Sequence, residues 1–327
     1  MDGAADVRNE SVRAGWVTGW VDPVRPVAVR RFYLLDGARA LAALAVLFFH
    51  YHHFFVPPGV KPEPALHGGS EPLRALFAPL YEHGHLSVSF FWVLSGFVFA
   101  ATYNREEASS RDFFVNRLAR LYPLHLLTLC IVAGLQAIAS ARYGHWFLVG
   151  NNDLIHFIAQ LFFASDWGLV SRGSFNGPIW SVSVEVVIYA VFWVGRGHLF
   201  RYGLLGPTTA LAVFMALTKF SVLPEIAQCG FFFFLGVATF VIFGRTRDET
   251  RAARLLMSLA IAALAGLATV LAPGYGASLL GTGGLFAAAT LALTAMEPAE
   301  DRRMNGFWAA CGDASYGMYP SRWRCSS

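Results

Sequence analysis

The stretch RFYLLDGARALAALAVLFFH, residues 31–50, is an apolar segment of membrane-spanning length that carries three polar side chains on one face. Arg39 precedes His50 by eleven residues, and Asp36 precedes it by fourteen. At ~3.6 residues per turn, these spacings point the three side chains in roughly the same direction. Charged groups in a spanning helix are costly and usually face a bundle interior or a wet cavity. The stretch therefore predicts a membrane helix with a functional site along one face.

The composition of the whole chain also indicates a membrane protein. Of its 327 residues, 56% are hydrophobic and only 14% are charged, whereas soluble domains have about 25% charged residues. Such a chain cannot hide its apolar surface in one soluble core, so we predict an all-α fold, a polytopic bundle of transmembrane helices. The four cysteines lack zinc-type spacing, and we predict no metal site.

Eight segments have the length and composition of membrane spans, the shorter ones with polar flanks. They are residues 39–55, 86–103, 122–139, 180–194, 203–222, 226–243, 255–272 and 277–296. We expect no cleavable signal peptide, because the first 30 residues contain no apolar core segment.

The distribution of Lys and Arg predicts the orientation. With the N-terminus in the cytoplasm, seventeen Lys and Arg residues fall in inside segments and five in outside segments, as the positive-inside rule requires. Counting residues 154–164 as a further span would move the arginine-rich loop 245–254 outside, so we expect 141–179 to be external and 154–164 to dip into the membrane or lie on it. This distribution also explains the net charge of +4 without nucleic acid as a partner.

Two motifs on the predicted helices suggest close approach and anion binding. In SVSFFWVLSGF, the pair Ser95-Gly96 interrupts a bulky apolar run and would let a neighbouring helix or a ligand approach the backbone. In RDFFVNRLARLYP, Arg117 and Arg120 lie one turn apart at the inner end of the third span, with Pro123 in its first turn. Their guanidinium groups could bind phosphates as a fork, or could simply anchor the helix at the interface.

A third motif, FNGPIWSVSVEV, places a carboxylate in an apolar helix. Asn176-Gly177-Pro178 is a predicted turn, and Ser181 or Ser183 can begin the next helix. Glu185 then lies about one turn inside the outer end of that span, where it needs a partner or a wet cavity. It is therefore a candidate site residue near the same outer side as His50.

In their order along the chain, these motifs resemble the acyltransferase-3 family of integral membrane enzymes, which includes O-antigen, exopolysaccharide and Nod-factor acetylases. The matching pieces are FYLLDGARALAALAVLFFH, SVSFFWVLSGF, RLARLYP and GPIWSVSVEV, and the resemblance runs over residues 32–319. It implies a membrane domain over 34–319, preceded by a cytoplasmic segment 1–33, in a bacterial inner membrane. It also implies transfer of an acyl group, often acetyl, from acyl-CoA to a hydroxyl of a carbohydrate or lipid-linked glycan.

The resemblance also implies roles for individual residues. His50 matches the presumed catalytic base, and Glu185 is expected to assist it. An unperturbed His pKa of ~6.5 suits a base that takes the proton of an attacking hydroxyl. Acyl-CoA would be a donor substrate, and no cofactor is expected to stay bound. The residues expected to bind substrate or donor are Arg117, Arg120, Arg39, Asp36, Ser95, Trp180 and Ser181.

The sequence departs from the family pattern at three places. Ser89 stands where many members have Asp, Ala38 stands where they have Leu, and a final span with its own histidine is missing after Tyr319. We therefore expect about eight or nine spans of a family total of ten. The tail 320–327, PSRWRCSS, reads as an aberrant or truncated end, and this form is expected to be of low activity.

Two other classes of function are compatible with polar groups in a helix bundle. A glycolipid carrier or flippase could use the same Asp, Arg and His as a substrate or proton relay. It is disfavoured because the chain shows no symmetry between its halves. A purely structural scaffold would not need Asp36, Arg39, His50 and Glu185 in apolar helices. Hydrolysis or exchange of labelled acetyl-CoA would separate an enzyme from a carrier.

Overall fold

A computed structural model of the protein describes residues 22–24, 32–52, 71–104, 109–146, 151–271 and 274–297, together with Gly306. The regular secondary structure of these residues is helical throughout. Ten α-helices and one short 3-10 helix lie in these ranges, which confirms the all-α fold class. Nearly all of the N-terminal segment 1–33 and the whole tail 320–327 lie outside the described residues.

The helices are numbered in chain order. They are α1 (Tyr33–His52), α2 (Arg74–His83), α3 (Leu86–Tyr103), α4 (Ser110–Tyr143), α5 (Leu154–Leu161), the 3-10 helix Gly177–Ile179, α6 (Trp180–Arg201), α7 (Leu205–Lys219), α8 (Pro224–Thr246), α9 (Arg251–Leu271) and α10 (Tyr275–Met296).

Within the described ranges, seven helices are long and apolar enough to cross a membrane: α1, α3, α4, α6, α8, α9 and α10. They correspond to seven of the eight predicted spans. The eighth, 203–222, contains helix α7, which has only 15 residues and is shorter than the ~20 needed to cross the hydrocarbon. Left-handed backbone at Gly203 and Ser221 bounds this helix on both sides.

Helix α4 begins earlier than the sequence suggested. Its N-cap is Ser109, whose hydroxyl accepts a hydrogen bond from the backbone N–H of Asp112. The helix then runs for 34 residues, and Pro123 lies in its interior. The prediction that Pro123 lies in the first turn was therefore wrong. The start of α4 was not predicted, because the charged stretch 111–120 lowers the hydropathy from which the span 122–139 was predicted.

Helix α4 turns apolar side chains outward and polar ones inward. Five large apolar residues are each more than half exposed: Leu124, Leu127, Ile131, Leu135 and Ile138. His125 and Gln136 on the same helix are buried. Water-soluble helices show the opposite arrangement, so this helix presents its apolar face to lipid.

The chain divides into two compact units. The aromatic unit comprises Met1–Arg30, Trp92–Glu107 and Ile188–Met296, and the His50 unit comprises Arg31–Phe91, Ala108–Val187 and Glu297–Ser327. In the aromatic unit, helix α8 is buried along most of its length. Its Phe233 contacts Phe99 of α3, which also stacks on Tyr189 of α6 at 4.4 Å between ring centroids.

Two glycines let α3 and α8 approach closely in the aromatic unit. A Cβ atom at Gly96 would collide with the carbonyl oxygen of Phe233, and one at Gly236 would collide with that of Val93. The two backbones therefore touch at both positions, as in other membrane helices that pack through small residues. The Ser95-Gly96 motif thus serves the approach of a neighbouring helix.

In the His50 unit, α1 packs against the short helix α2. Phe48 of α1 contacts Phe77 and Tyr81 of α2, with ring centroids 4.8 and 5.4 Å apart. At the end of α2 the chain turns at Gly84, where a Cβ atom would collide with the carbonyl oxygen of Ala45. This contact holds the end of α1 that carries His50.

We predict that Gly96→Ala destabilises the protein by ~1–3 kcal/mol, the usual cost of overpacking. The added methyl group must push the backbone of Phe233 away. The matched control is Gly134→Ala on α4, where a Cβ atom meets no described atom within 4 Å, so the substitution should be neutral or slightly stabilising. Thermal unfolding in detergent measures both, and equal melting temperatures would contradict the close-packing argument.

Candidate active site

Asp36 and Arg39 form an ion pair near the start of α1. Arg39 Nη1 donates a hydrogen bond to Asp36 Oδ1 over 3.1 Å, and the two side chains are only 4% and 13% exposed, respectively. The two residues thus pair at i, i+3, the spacing that makes side chains neighbours on a helix. Because each charge compensates the other, both can lie in an apolar helix.

The first turn of α1 is capped by a residue that the sequence did not single out. The backbone N–H groups of Tyr33 and Leu34 donate to Oε1 and Oε2 of Glu297 over 2.6 and 3.2 Å. Burial raises the pKa of Glu297, and the two hydrogen bonds oppose that shift. A carboxylate at a helix N-terminus is favourable, but no local pattern links residues 264 positions apart.

His50 lies near the other end of α1 and is half-buried. The neighbouring Phe49 ring contacts His85, with centroids 5.3 Å apart. Burial lowers the pKa of His85, which keeps that ring neutral at physiological pH. At this end of α1, Phe49 therefore lies between two histidine rings, since it also contacts His50, with ring centroids 5.6 Å apart.

The protein-facing side of α4 carries the two predicted arginines. Arg117 and Arg120 are half-buried and share a face with the buried Phe113, four and seven residues before them. Further along α4, the protein-facing stripe winds around the helix, so that the buried His125 and Gln136 are offset from Arg117 by roughly 80° and 100°. Arg117 Nε and Arg120 Nη2 are out of contact with solvent. Side chains that only anchored the helix at an interface would reach into water or head groups. The two guanidinium groups point instead into the protein.

His125 belongs to the same stripe and was missed by the sequence analysis. Its Nε2 lies 2.8 Å from the carbonyl oxygen of Gln160, and because a carbonyl only accepts, Nε2 carries the proton. Nδ1 then has a lone pair, is buried and has no hydrogen-bond partner among the described residues. The ring lies over Phe163 at 4.5 Å. The helical spacing from Arg117, eight residues, could have revealed this residue.

The two serines of WSVSVEV have different environments. Ser183 is fully buried; its hydroxyl donates to the carbonyl oxygen of Phe163 over 2.6 Å and accepts from the backbone N–H of Asp166 over 3.1 Å. Ser181 donates to the carbonyl oxygen of Pro178 over 3.4 Å. Neither serine caps α6, because the 3-10 turn runs directly into Trp180. Ser183 thus ties the preceding loop to the helix that carries Glu185.

Trp180 lines an open depression of about 130 Å³ in the His50 unit. Its other lining residues include the polar Gln160, Asp166 and Arg172. Asp166 Oδ1 accepts a hydrogen bond from Arg172 Nε over 3.3 Å. Glu185 is half-buried in the second turn of the same helix as Trp180. The first two turns of α6 therefore position both Trp180, which lines the depression, and the carboxylate of Glu185.

Eight of the nine predicted site residues belong to the His50 unit, and Ser95 belongs to the aromatic unit. Ser95 is 4% exposed and lies beside the contact between Gly96 and Phe233, so its assignment to binding stays a prediction. Among the described residues, no three His, Cys, Asp or Glu side chains form a group that could hold a metal ion.

The chain matches the model of the acyltransferase domain family over residues 32–320. It is 30% identical over 209 residues to "Protein 2 in picA locus" of Rhizobium radiobacter, covering 58% of this chain and 96% of that protein. It is 32% identical over 172 residues to acyltransferase MdmB of Streptomyces mycarofaciens, covering 51% of this chain and 40% of MdmB. The chain thus aligns with less than half of MdmB. No solved structure matches.

We predict that Ser183→Ala lowers the free energy of unfolding by ~1–3 kcal/mol, because it leaves the carbonyl of Phe163 and the N–H of Asp166 without their buried partner. Ser181→Ala removes only one long, solvent-exposed hydrogen bond of a half-buried residue and should change stability by less than ~0.5 kcal/mol. Thermal unfolding of both variants in detergent is the measurement. The assignment fails if Ser181→Ala proves the more damaging change.

Proposed function

We propose, from the premise that this chain belongs to the acyltransferase domain family, that it moves an acyl group from acyl-CoA to a hydroxyl of a cell-surface or lipid-linked carbohydrate. Acetyl is the acyl group that we propose. Family membership makes the chain an acyltransferase, and its seven long apolar helices indicate a multi-pass membrane protein. We place it in a bacterial inner membrane with the N-terminus in the cytoplasm, on the basis of the arginine distribution.

The observation that carries the donor proposal is the placement of Arg117 and Arg120. Both lie on the protein-facing stripe of α4, with guanidinium nitrogens out of contact with solvent. Acyl-CoA carries several phosphate groups, and two guanidinium groups one helical turn apart suit bidentate phosphate binding. On the proposed orientation, this stripe starts at the cytoplasmic side, where acyl-CoA is available.

In the proposed reaction, His50 accepts the proton of the acceptor hydroxyl as that oxygen attacks the thioester carbonyl carbon. The carbon–sulfur bond breaks, the acyl group passes to the acceptor oxygen, and the protonated imidazole returns its proton to the leaving thiolate of CoA. Glu185 would stabilise the imidazolium that forms between these steps, as carboxylates do beside catalytic histidines. The ion pair of Asp36 and Arg39 lies fourteen and eleven residues before His50 and maintains the start of the helix.

The proposal of a carbohydrate acceptor is supported by the depression beside Trp180. Its polar lining includes Gln160 and Ser165, and both of these residues are buried. An aromatic face next to amide and hydroxyl groups suits a molecule that is apolar on one face and rich in hydroxyl groups at its edges. Apart from Trp180, its lining residues belong to the segment 141–179, which is external in the proposed orientation.

We predict that His50→Ala lowers acyl transfer ~10²–10⁴-fold, the usual contribution of a general base. CoA binding should stay unchanged, because the base contacts the acceptor and the carbonyl group. The control is His145→Ala, which changes an exposed histidine beyond the end of α4 and should leave turnover unchanged. Transfer of label from acetyl-CoA to an oligosaccharide acceptor in detergent is the measurement. Unchanged turnover in His50→Ala would exclude this histidine as the base.

We predict that the double variant Arg117→Lys, Arg120→Lys binds CoA about tenfold or more weakly, since charged hydrogen bonds contribute ~1.5–3 kcal/mol each. Lysine keeps the charge but loses the planar fork, so insertion should persist. Arg111→Lys, at an exposed position on the same helix, is the matched control and should bind CoA normally. Calorimetric titration with CoA distinguishes the two roles, because simple anchors would give the same affinity in all three proteins.

A further inference from the structure

Three side chains in the segment before α6 form a continuous hydrogen-bonded chain. His156 Nδ1 lies 2.7 Å from Asp153 Oδ1, and His156 Nε2 lies 2.9 Å from the hydroxyl oxygen of Ser171. His156 is 8% exposed, whereas Ser171 and Asp153 reach the surface. Serine, histidine and aspartate thus meet in the order that nucleophilic catalysis uses.

The partners of each atom determine where the protons lie. A carboxylate only accepts, so the neutral His156 ring carries its proton on Nδ1 and offers a lone pair at Nε2. The Ser171 hydroxyl must then donate to Nε2. Asn151 Nδ2 donates to the same Ser171 oxygen over 2.8 Å, which fills an acceptor position and leaves the hydroxyl proton directed at His156. This is the tautomer that a general base beside a serine requires.

The surrounding backbone holds these residues in place. Asp153 is the N-cap of α5, and its Oδ1 also accepts from the backbone N–H of His156. On the other side, the loop that follows Ser171 is bound by side chains of the α5 region. Phe175 N donates to Asn152 Oδ1 over 2.9 Å, and Gln160 Nε2 donates to the carbonyl oxygen of Ser174 over 2.9 Å. The nucleophile and the base therefore lie on two segments that are tied together.

Ser171 lines the same depression as Trp180, Arg172 and Ser174. Its volume, about 130 Å³, is well above the ~10–15 Å³ of such space that one water molecule needs, which leaves room for a short acyl group. Arg172 lines the wall beside the serine, where its guanidinium group pairs with Asp166. The hydroxyl group thus faces a space that a small ester can enter.

We propose that Ser171 is a nucleophile and that this segment hydrolyses short-chain acyl esters of polar alcohols. The Ser171 oxygen attacks the ester carbonyl carbon while its proton passes to His156 Nε2. The ester carbon–oxygen bond breaks, the alcohol leaves with that proton, and an acyl-serine remains. Water then attacks the acyl carbon, gives a proton to His156, and releases the carboxylic acid as the serine recovers its proton.

Asp153 acts as a positioning residue in this scheme. Its hydrogen bonds from the backbone and the ring of His156 lower the pKa of its carboxyl group, so it is ionised at neutral pH. If Asp153 served only as the N-cap of α5, the hydrogen bond between His156 and Ser171 would not be needed. The hydrolase chemistry is independent of the proposed transfer from acyl-CoA, since it requires neither CoA nor His50.

The test is covalent labelling of the full chain in detergent with a fluorophosphonate probe, which reacts with activated serines. The adduct, located by peptide mass spectrometry, is expected on Ser171, together with hydrolysis of p-nitrophenyl acetate above the uncatalysed rate. Ser171→Ala should lose both signals. Asp153→Asn keeps an N-cap residue but removes the charge, and should label ~10²–10⁴-fold more slowly.

Ser278→Ala is the control, because this exposed serine on α10 is not among the residues that line the depression. It should label at the rate of the unchanged protein. Absence of an adduct in the unchanged protein would overturn the proposal, and so would an adduct on another residue. Equal labelling of Asp153→Asn would show that the three side chains only cap α5. Because the adduct is located in the unchanged protein, a variant that fails to fold cannot obscure the result.

Discussion

No polar group can face the hydrocarbon of a membrane without a large cost in free energy, and this constraint accounts for most of the arrangement described above. It forces the backbone into helices and turns polar side chains toward the protein. Helix α4 illustrates both effects, because Leu124 and Leu127 are exposed while His125 between them is buried. A polar stripe on such a helix must contact protein or a wet cavity. The same constraint that stabilises the fold therefore concentrates the reactive groups inside it.

The irregular segment between α5 and α6 meets this constraint in another way. Its backbone groups lack the regular partners of a helix, and buried side chains replace them. Ser183 bonds both Phe163 and Asp166, and Gln160 bonds Ser174 and Asn176. These hydrogen bonds hold the backbone of the loop in one conformation. Glu185 and Trp180 follow on the next helix, so their positions depend on hydrogen bonds made by neighbouring residues that take no part in the proposed transfer.

The sequence predicted the features that depend on local spacing. Seven long apolar helices and the pair of Asp36 with Arg39 follow directly from composition and from the i, i+3 rule. The true start of α4 was missed, because a capped helix whose first turns are charged does not look like a membrane span. Glu297 capping α1, and Ser171 meeting His156, join residues that are distant or separated by a loop. The periodicity of the sequence does not predict such contacts, so only the folded structure shows them.

The protein-facing stripe of α4 suggests how a donor on one side could serve an acceptor on the other. Arg117 and Gln136 lie nineteen residues apart on this stripe, which is ~28 Å along a helix axis and close to the ~30 Å thickness of the hydrocarbon. His125 lies between them, with a buried ring nitrogen that can accept a hydrogen bond. In the proposed reaction, these polar side chains, with the buried Leu129 between His125 and Gln136, would line the path of a thioester arm whose phosphates stay at the arginines. The acyl group would thus cross the hydrocarbon layer of the membrane in contact with protein side chains and not with lipid.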